Sequence, residues 1–231
     1  MNYYIDTEFH EYKKNGINTI ELISIGIIDQ AGRTYYAVCN EFNVEDAWDN
    51  EWLQENVLKT LTSFDASSDA KEQLGSFLIN EGKSKSQIAE EILTFINKPT
   101  MPDSEGREQP VPYHPPQFYA YYADYDWVVF CWLFGSMIDL PKGFPMYCRD
   151  LQQLKDEKID IWNEKVNNRK TMHPNVVREY NTVLKSTYIN DCDFMINDFK
   201  WHPEYPTQDK EHNALNDAVW NYKLHNFLNK I

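Results

Sequence analysis

Three shortages bound this sequence before any motif is read. It has no apolar stretch near the roughly 18 to 20 residues needed to span a bilayer, and Met1-Asn2-Tyr3-Tyr4-Ile5-Asp6 has no basic region followed by an apolar run. Neither a membrane-spanning nor a Sec-exported protein is expected. Cysteine is sparse: Cys39, Cys131, Cys148 and Cys192 are far apart and form no CxxC pair. Free, mostly buried thiols in the cytoplasm are therefore expected in preference to a disulfide framework or a four-cysteine zinc site. Basic residues are outnumbered, 22 Lys and Arg against 36 Asp and Glu, for a formal net charge of -14. Such a chain does not coat nucleic acid through a basic face, so a polyanionic substrate would need local help.

What is present suffices for a core. The 231 residues are 42% hydrophobic and 25% charged, ordinary values for a soluble globular chain, and the length suits one domain over residues 1–231. The opening reads as a three-strand meander. It has a short apolar start at Tyr3 to Asp6 and a β-branched run from Ile17 to Asp29, too continuous for a sheet with one face in water. A return strand follows at Thr34 to Cys39. Helical spacing begins near Val44, and a further helix is capped by Ser84 or Ser86, with a loop at Asp65 to Asp69 between them. Six prolines between Pro99 and Pro116 suit an exposed loop. A strand is expected at Gln117 to Tyr122, running into an apolar helix that stops at Gly135, and another short strand at Pro145 to Cys148. Helices are expected near Leu151 to Lys165, Asn175 to Thr187 and Asn213 to Leu228. This order predicts an α/β domain with a mixed sheet.

Three acidic motifs stand at the edges of these elements. In Asp6-Thr7-Glu8, side chains two apart on a strand share a face, and hard carboxylate oxygens placed so suit Mg²⁺ or Mn²⁺. Alone, DxE is a common tripeptide that also fits a solvated strand end. Asp124 and Asp126 open the apolar helix, where an Asp can equally serve as N-cap. His212 precedes the last helix and Asp217 lies in its first turns, where a lone His is usually a surface or capping residue. Taken together, four carboxylates and one His form the set that two-metal phosphoryl transfer needs.

The order DxE, strand-terminal Asp and HxxxxD resembles the DEDDh class of 3′-to-5′ exonucleases, on the ribonuclease H-like fold. Tyr4 to Phe9, Thr19 to Gly26, Gly32 to Val38, Glu41-Phe42, Tyr125-Asp126 and His212 to Ala218 resemble the ribonuclease AS family of exoribonucleases more closely. The resemblance implies a mixed central β-sheet flanked by helices and a two-cation site. Asp6 would bridge both metals, Glu8 and Asp217 would hold the metal that activates water, and Asp126 would act through the metal shell. His212 would be the general base. Asp124 is the rival third acid; Asp126 is preferred because the class places an aromatic residue before it, here Tyr125. Thr7, Phe9 and Glu21 are the substrate candidates, Phe9 by stacking on a terminal base and Glu21 by accepting from an adenine amino group. The implied reaction releases nucleoside 5′-monophosphates from single-stranded or short RNA, with a hint of adenylate preference. Related exonucleases are often dimers, so a homodimer is an assembly the resemblance allows.

Two stretches, about 99–116 and 151–211, look like insertions into the compact branch. Within the second, Lys158, Lys165, Arg169, Lys170, Arg178 and Lys185 outnumber Asp160, Glu164 and Glu179. That suits either a solvated helical face or a phosphate-tracking surface. Rival readings of the whole chain are a DNA exonuclease, since the five positions do not encode the sugar, a catalytically silent nucleic-acid-binding domain on the same fold, and an acidic mimic of nucleic acid.

Overall fold

The computed structural model describes residues 1–63, 69–110, 112, 114–171, 195–208 and 210–231. They form two compact units. The first comprises 1–150 and 207–222, and the second 151–206 and 223–231.

The first unit is built on one long hairpin. β1 (Asn2–Lys14) and β2 (Ile17–Asp29) are antiparallel along their whole length, joined by Asn15-Gly16 with both residues at positive φ. That pair is the preferred two-residue hairpin turn, because its twist matches the strands it connects. β1 therefore runs well past the short start expected at Tyr3 to Asp6, and Asp6-Thr7-Glu8 lies inside a strand, not at its end. β2 is buried without interruption from Glu21 to Asp29, as its β-branched run requires of a central strand.

β3 (Thr34–Val38) pairs with β2, while β6 (Gln117–Ala120) and β7 (Arg149–Asp150) add in parallel beyond β1. The result is a mixed five-stranded sheet in the order β3-β2-β1-β6-β7. Helices flank it. Tyr3, Ile5, Leu22, Ile25 and Ile27 pack with residues of α4 (Lys85–Asn97) and α5 (Ala123–Trp132). Ile23 and Val38 instead join a second cluster with α1 (Val44–Asp49), α2 (Glu51–Asn56) and α3 (Ala70–Asn80). Ser84 caps α4 in a capping box with Gln87.

Several expected boundaries move. α3 is an element beyond those expected from the sequence; Asp69 caps it and it buries Leu74 and Leu78. The proline-rich stretch contains a small hairpin, β4 (Thr100–Pro102) with β5 (Glu108–Pro110). The strand expected at Pro145 to Cys148 lies instead at β7. Most of the expected loop at Asp65 to Asp69, the helix expected at Asn175 to Thr187, and Arg178, Lys185 and Cys192 lie outside the described residues. Cys39, Cys131 and Cys148 are free thiols.

The second unit holds α6 (Leu151–Thr171), which buries Ile159, Trp162 and Val166, with Phe199 and Phe227 beside them in the same unit's core. The Asn163 amide exchanges two hydrogen bonds of 2.8 Å with the main chain of Ile196. Lys158 and Lys165 lie on α6. The last helix, α7 (Ala214–Leu228), contributes its first turns to the first unit and its last turns to the second. Among the described residues, no helix is long and apolar enough to cross a membrane.

Candidate active site

The first unit gathers its acids where β6 leaves β1. The parallel pairing of these strands ends at Tyr4 opposite Tyr119, after which β6 turns through Tyr121 and Tyr122 into α5. Tyr122 adopts the left-handed conformation, φ 56° and ψ 51°, uncommon for a bulky side chain and often found at functional sites. It gives α5 no side-chain cap; Asp150 Oδ2, at the end of β7, accepts from the Ala123 N–H at 2.9 Å instead.

Asp6 and Glu8 project from one face of β1. The β1–β2 register shifts between Glu8 and Phe9: Glu8 lies opposite Ser24 and Phe9 opposite Leu22, with Ile23 as the extra residue. Such bulges re-aim side chains beside active sites. Asp126 arrives from the first turn of α5, and Asp217 from the first turn of α7. One carboxylate oxygen each from Asp6, Glu8 and Asp217 lies within 4.8 Å of the others. Asp126 is fastened to β1, its Oδ1 accepting from the Thr7 N–H at 2.8 Å and the Thr7 hydroxyl at 2.6 Å. Thr7, between the two acids, thus places the third. Asp124 is exposed on α5 and does not line the cleft.

Asp217 also organises the segment before α7. Its Oδ2 accepts from the main-chain N–H of His212 at 2.9 Å, and its Oδ1 from the Gln208 amide at 2.8 Å. His212 has φ 66°, its carbonyl accepts from the Thr60 hydroxyl at 3.4 Å, and its ring meets Trp52 edge-on at 4.8 Å. A glycine makes this docking feasible. Gly26 lies opposite Asp6 in the ladder, and a Cβ on it would fall 2.3 Å from the backbone of Ala214. Only a residue without a side chain lets the start of α7 sit that close to the strand.

These groups line a cleft of about 290 Å³ together with Phe9, Tyr121, Tyr122, Tyr125, Trp220 and Asn221. Phe9 stacks on Tyr125 with ring centroids 5.6 Å apart and planes at 27°, and Tyr125 is half exposed. Glu21 is not brought to this cleft. It pairs with His10 further along the ladder and lines a different cavity, accepting from the Tyr12 hydroxyl, Lys14 and the Asn43 N–H. A larger cavity of about 670 Å³ by Tyr35 and Phe95 offers little chemistry, because its Glu91 is taken up by Lys83 and the Tyr35 hydroxyl.

The cleft is electrostatically uncompensated. Among the described residues, no Lys or Arg pairs with Asp6, Glu8, Asp126 or Asp217. Burial, with the neighbouring charges of Asp126, Glu8 and Asp217, pushes Asp6 well above the usual carboxylate range. Burial and the charges of Asp217 and Asp126 push Glu8 up to about 8. Burial raises Asp126 to about 7 in spite of its two bonds from Thr7, and raises Asp217 as well. Hard oxygen donors crowded together without a cationic side chain fit Mg²⁺ or Mn²⁺.

An acid-lined cleft at the point where two strands of a mixed sheet part defines a class of α/β protein that binds its ligand at the strand ends. The chain belongs to the Rv2179c-like 3′-5′ exoribonuclease domain family, whose model matches residues 1–228. It is 33% identical over 158 residues to the 3′-5′ exoribonuclease Rv2179c of Mycobacterium tuberculosis strain H37Rv, covering 68% of this chain and 76% of that protein. The same figures hold for the 3′-5′ exoribonuclease MT2234.1 of strain CDC 1551.

Sequence reasoning did not single out Trp52, Gln208 or Asn221. Gln208 and Asn221 carry no motif spacing. Trp52 lies in α2 with no motif around it.

Proposed function

We propose that this protein is a metal-dependent 3′-to-5′ exoribonuclease of the DEDDh class, on a ribonuclease H-like fold, that shortens single-stranded or short RNA to nucleoside 5′-monophosphates. The observation that carries the reading is the convergence of the Asp6, Glu8 and Asp217 oxygens within 4.8 Å, with no Lys or Arg paired to them among the described residues. Family membership supplies the polymer and the direction of attack.

In this reading Asp6, Glu8 and Asp217 hold the cations, and Asp126 stands beside them on its Thr7 anchor. Bound there, two divalent ions supply activation of water and stabilisation of the attacking and leaving oxygens. The chain's own groups do the rest. His212 takes the proton of the attacking water at a ring nitrogen, and Trp52 and the Asp217 carboxylate hold His212 in its strained conformation. Water adds at phosphorus, the bond to the 3′ oxygen of the preceding nucleotide breaks, and a nucleoside 5′-monophosphate leaves. Phe9 and Tyr125 offer stacked rings to the terminal base, a contact that tolerates any base.

A 5′-labelled RNA oligonucleotide with Mg²⁺ tests this directly. The expected pattern is a ladder shortening from the 3′ end with release of 5′-monophosphates, stopped by chelation. A matched DNA oligonucleotide degraded faster than the RNA would overturn the choice of polymer. Full activity in the presence of a chelator would overturn the metal-dependent mechanism.

A further inference from the structure

We propose that Asn221 is a positioning residue that fixes Asp217 for cation binding by standing in for a missing strand. Alternate residues of a strand send their main-chain groups to the same edge, and β1 has β2 on one edge and β6 on the other. β6 pairs only as far as Tyr4, so on that edge the Ile5 carbonyl and the Thr7 N–H lie past the end of the pairing. Buried main-chain groups need partners. Side chains of two helices supply them: the Thr7 N–H donates to Asp126 Oδ1 at 2.8 Å, and the Ile5 carbonyl accepts from the Asn221 amide at 2.9 Å. The gap that opens the cleft is thus closed at main-chain level by α5 and α7, each of which carries one of the acids.

Asn221 is only 1% exposed and lies four residues after Asp217, on the same face of α7. Its bond grips the residue just before Asp6, while one turn earlier Asp217 meets Asp6 and Glu8. At the helix start, Gly26 admits the backbone of Ala214 beside the ladder partner of Asp6. With Gly26 setting how close α7 comes and Asn221 setting its register along β1, Asp217 has one position available.

This inference rests on the metal-dependent reading above. Its test is Mn²⁺ titration by calorimetry of the full chain, wild type against Asn221→Leu, which keeps the branched shape but cannot donate. Melting in chelator is measured alongside. The expected result is cation affinity weakened by about tenfold or more, as for other groups that orient metal ligands, in a variant that still melts cooperatively without cation. In hydrolysis at saturating cation, kcat should fall while KM for RNA stays within about twofold. If Asn221→Leu does not fold, Asn221→Gln carries the test. It keeps an amide displaced by one methylene and is expected to fold with a several-fold loss of affinity. Wild-type affinity in either folded variant overturns the role of Asn221 and leaves the metal reading standing. Absence of any Mn²⁺ binding by the wild type overturns both, and the wild-type titration alone reveals that case.

Discussion

The β1–β2 hairpin carries two acidic neighbourhoods that differ in one respect. Around Glu21, every approaching group is a donor. Burial pushes its carboxyl up, yet the Tyr12 hydroxyl, the Asn43 N–H and Lys14 outweigh that and hold it below its ordinary value. Around Asp6, a few residues along the same ladder, the approaching groups are other carboxylates, and although Asp126 and Asp217 accept hydrogen bonds from Thr7, Gln208 and His212, all four acids are pushed up. The first arrangement is complete as folded. The second is a cost that the fold carries, and an arrangement of that kind is expected where a cation is to be bound. An acid pointing into a cavity is therefore weak evidence of function until its donors are counted.

Substitution at the two neighbourhoods should separate them most strongly in hydrolysis. Asp6→Asn and Asp217→Asn, each nearly isosteric, should lower turnover by about a thousandfold or more with the fold intact by circular dichroism. Next in size is Gly26→Ala. A methyl group 2.3 Å from the Ala214 backbone must push α7 away from β2, so stability should drop by about 3 kcal/mol in denaturant unfolding. Turnover should fall by about a hundredfold, because small displacements of reacting groups are expensive.

A smaller effect lies in the pH dependence of the cation-free protein. Glu8 at about 8 and Asp126 at about 7 retain protons in the folded chain that the unfolded chain releases near its ordinary carboxylate values. From these groups, stability is fully present below about pH 4 and is lost as pH rises through about 7 to 8. Thermal melts in chelator should therefore fall across that range. Added Mg²⁺ should raise the melting temperature more at the alkaline end. The smallest effect is expected for Glu21→Gln, which removes charge from a satisfied group. It should cost about 1 to 2 kcal/mol of stability and leave cation affinity unchanged.

The same contrast explains what could be read from the sequence. Asp6 with Glu8, Asp126 at the start of α5, and His212 with Asp217 around the start of α7 are local patterns, set by strand alternation and helix starts, and the structure brings them together. Phe9 reaches the cleft for the same reason. Glu21 had no such protection. Its position depends on the bulge at Ile23 and on a ladder running past Glu8, a length of β1 that the polar residues His10, Glu11, Lys13 and Lys14 conceal from an apolar pattern. Asn15-Gly16 was the available signal for the longer hairpin. Gly26, Asn221, Gln208 and Trp52 act through contacts between segments far apart in the chain, for which sequence spacing has no counterpart.

The central claim is that the acids of the cleft, which have no Lys or Arg partner among the described residues, exist to hold cations. Calorimetric titration of Mn²⁺ at about pH 7, in two buffers of different ionisation enthalpy, tests it most directly. The account predicts binding accompanied by proton release, because carboxylates that hold protons in the empty cleft must give them up to coordinate, and it predicts loss of that binding in Asp6→Asn. Binding without proton release, or binding that Asp6→Asn leaves intact, would contradict it.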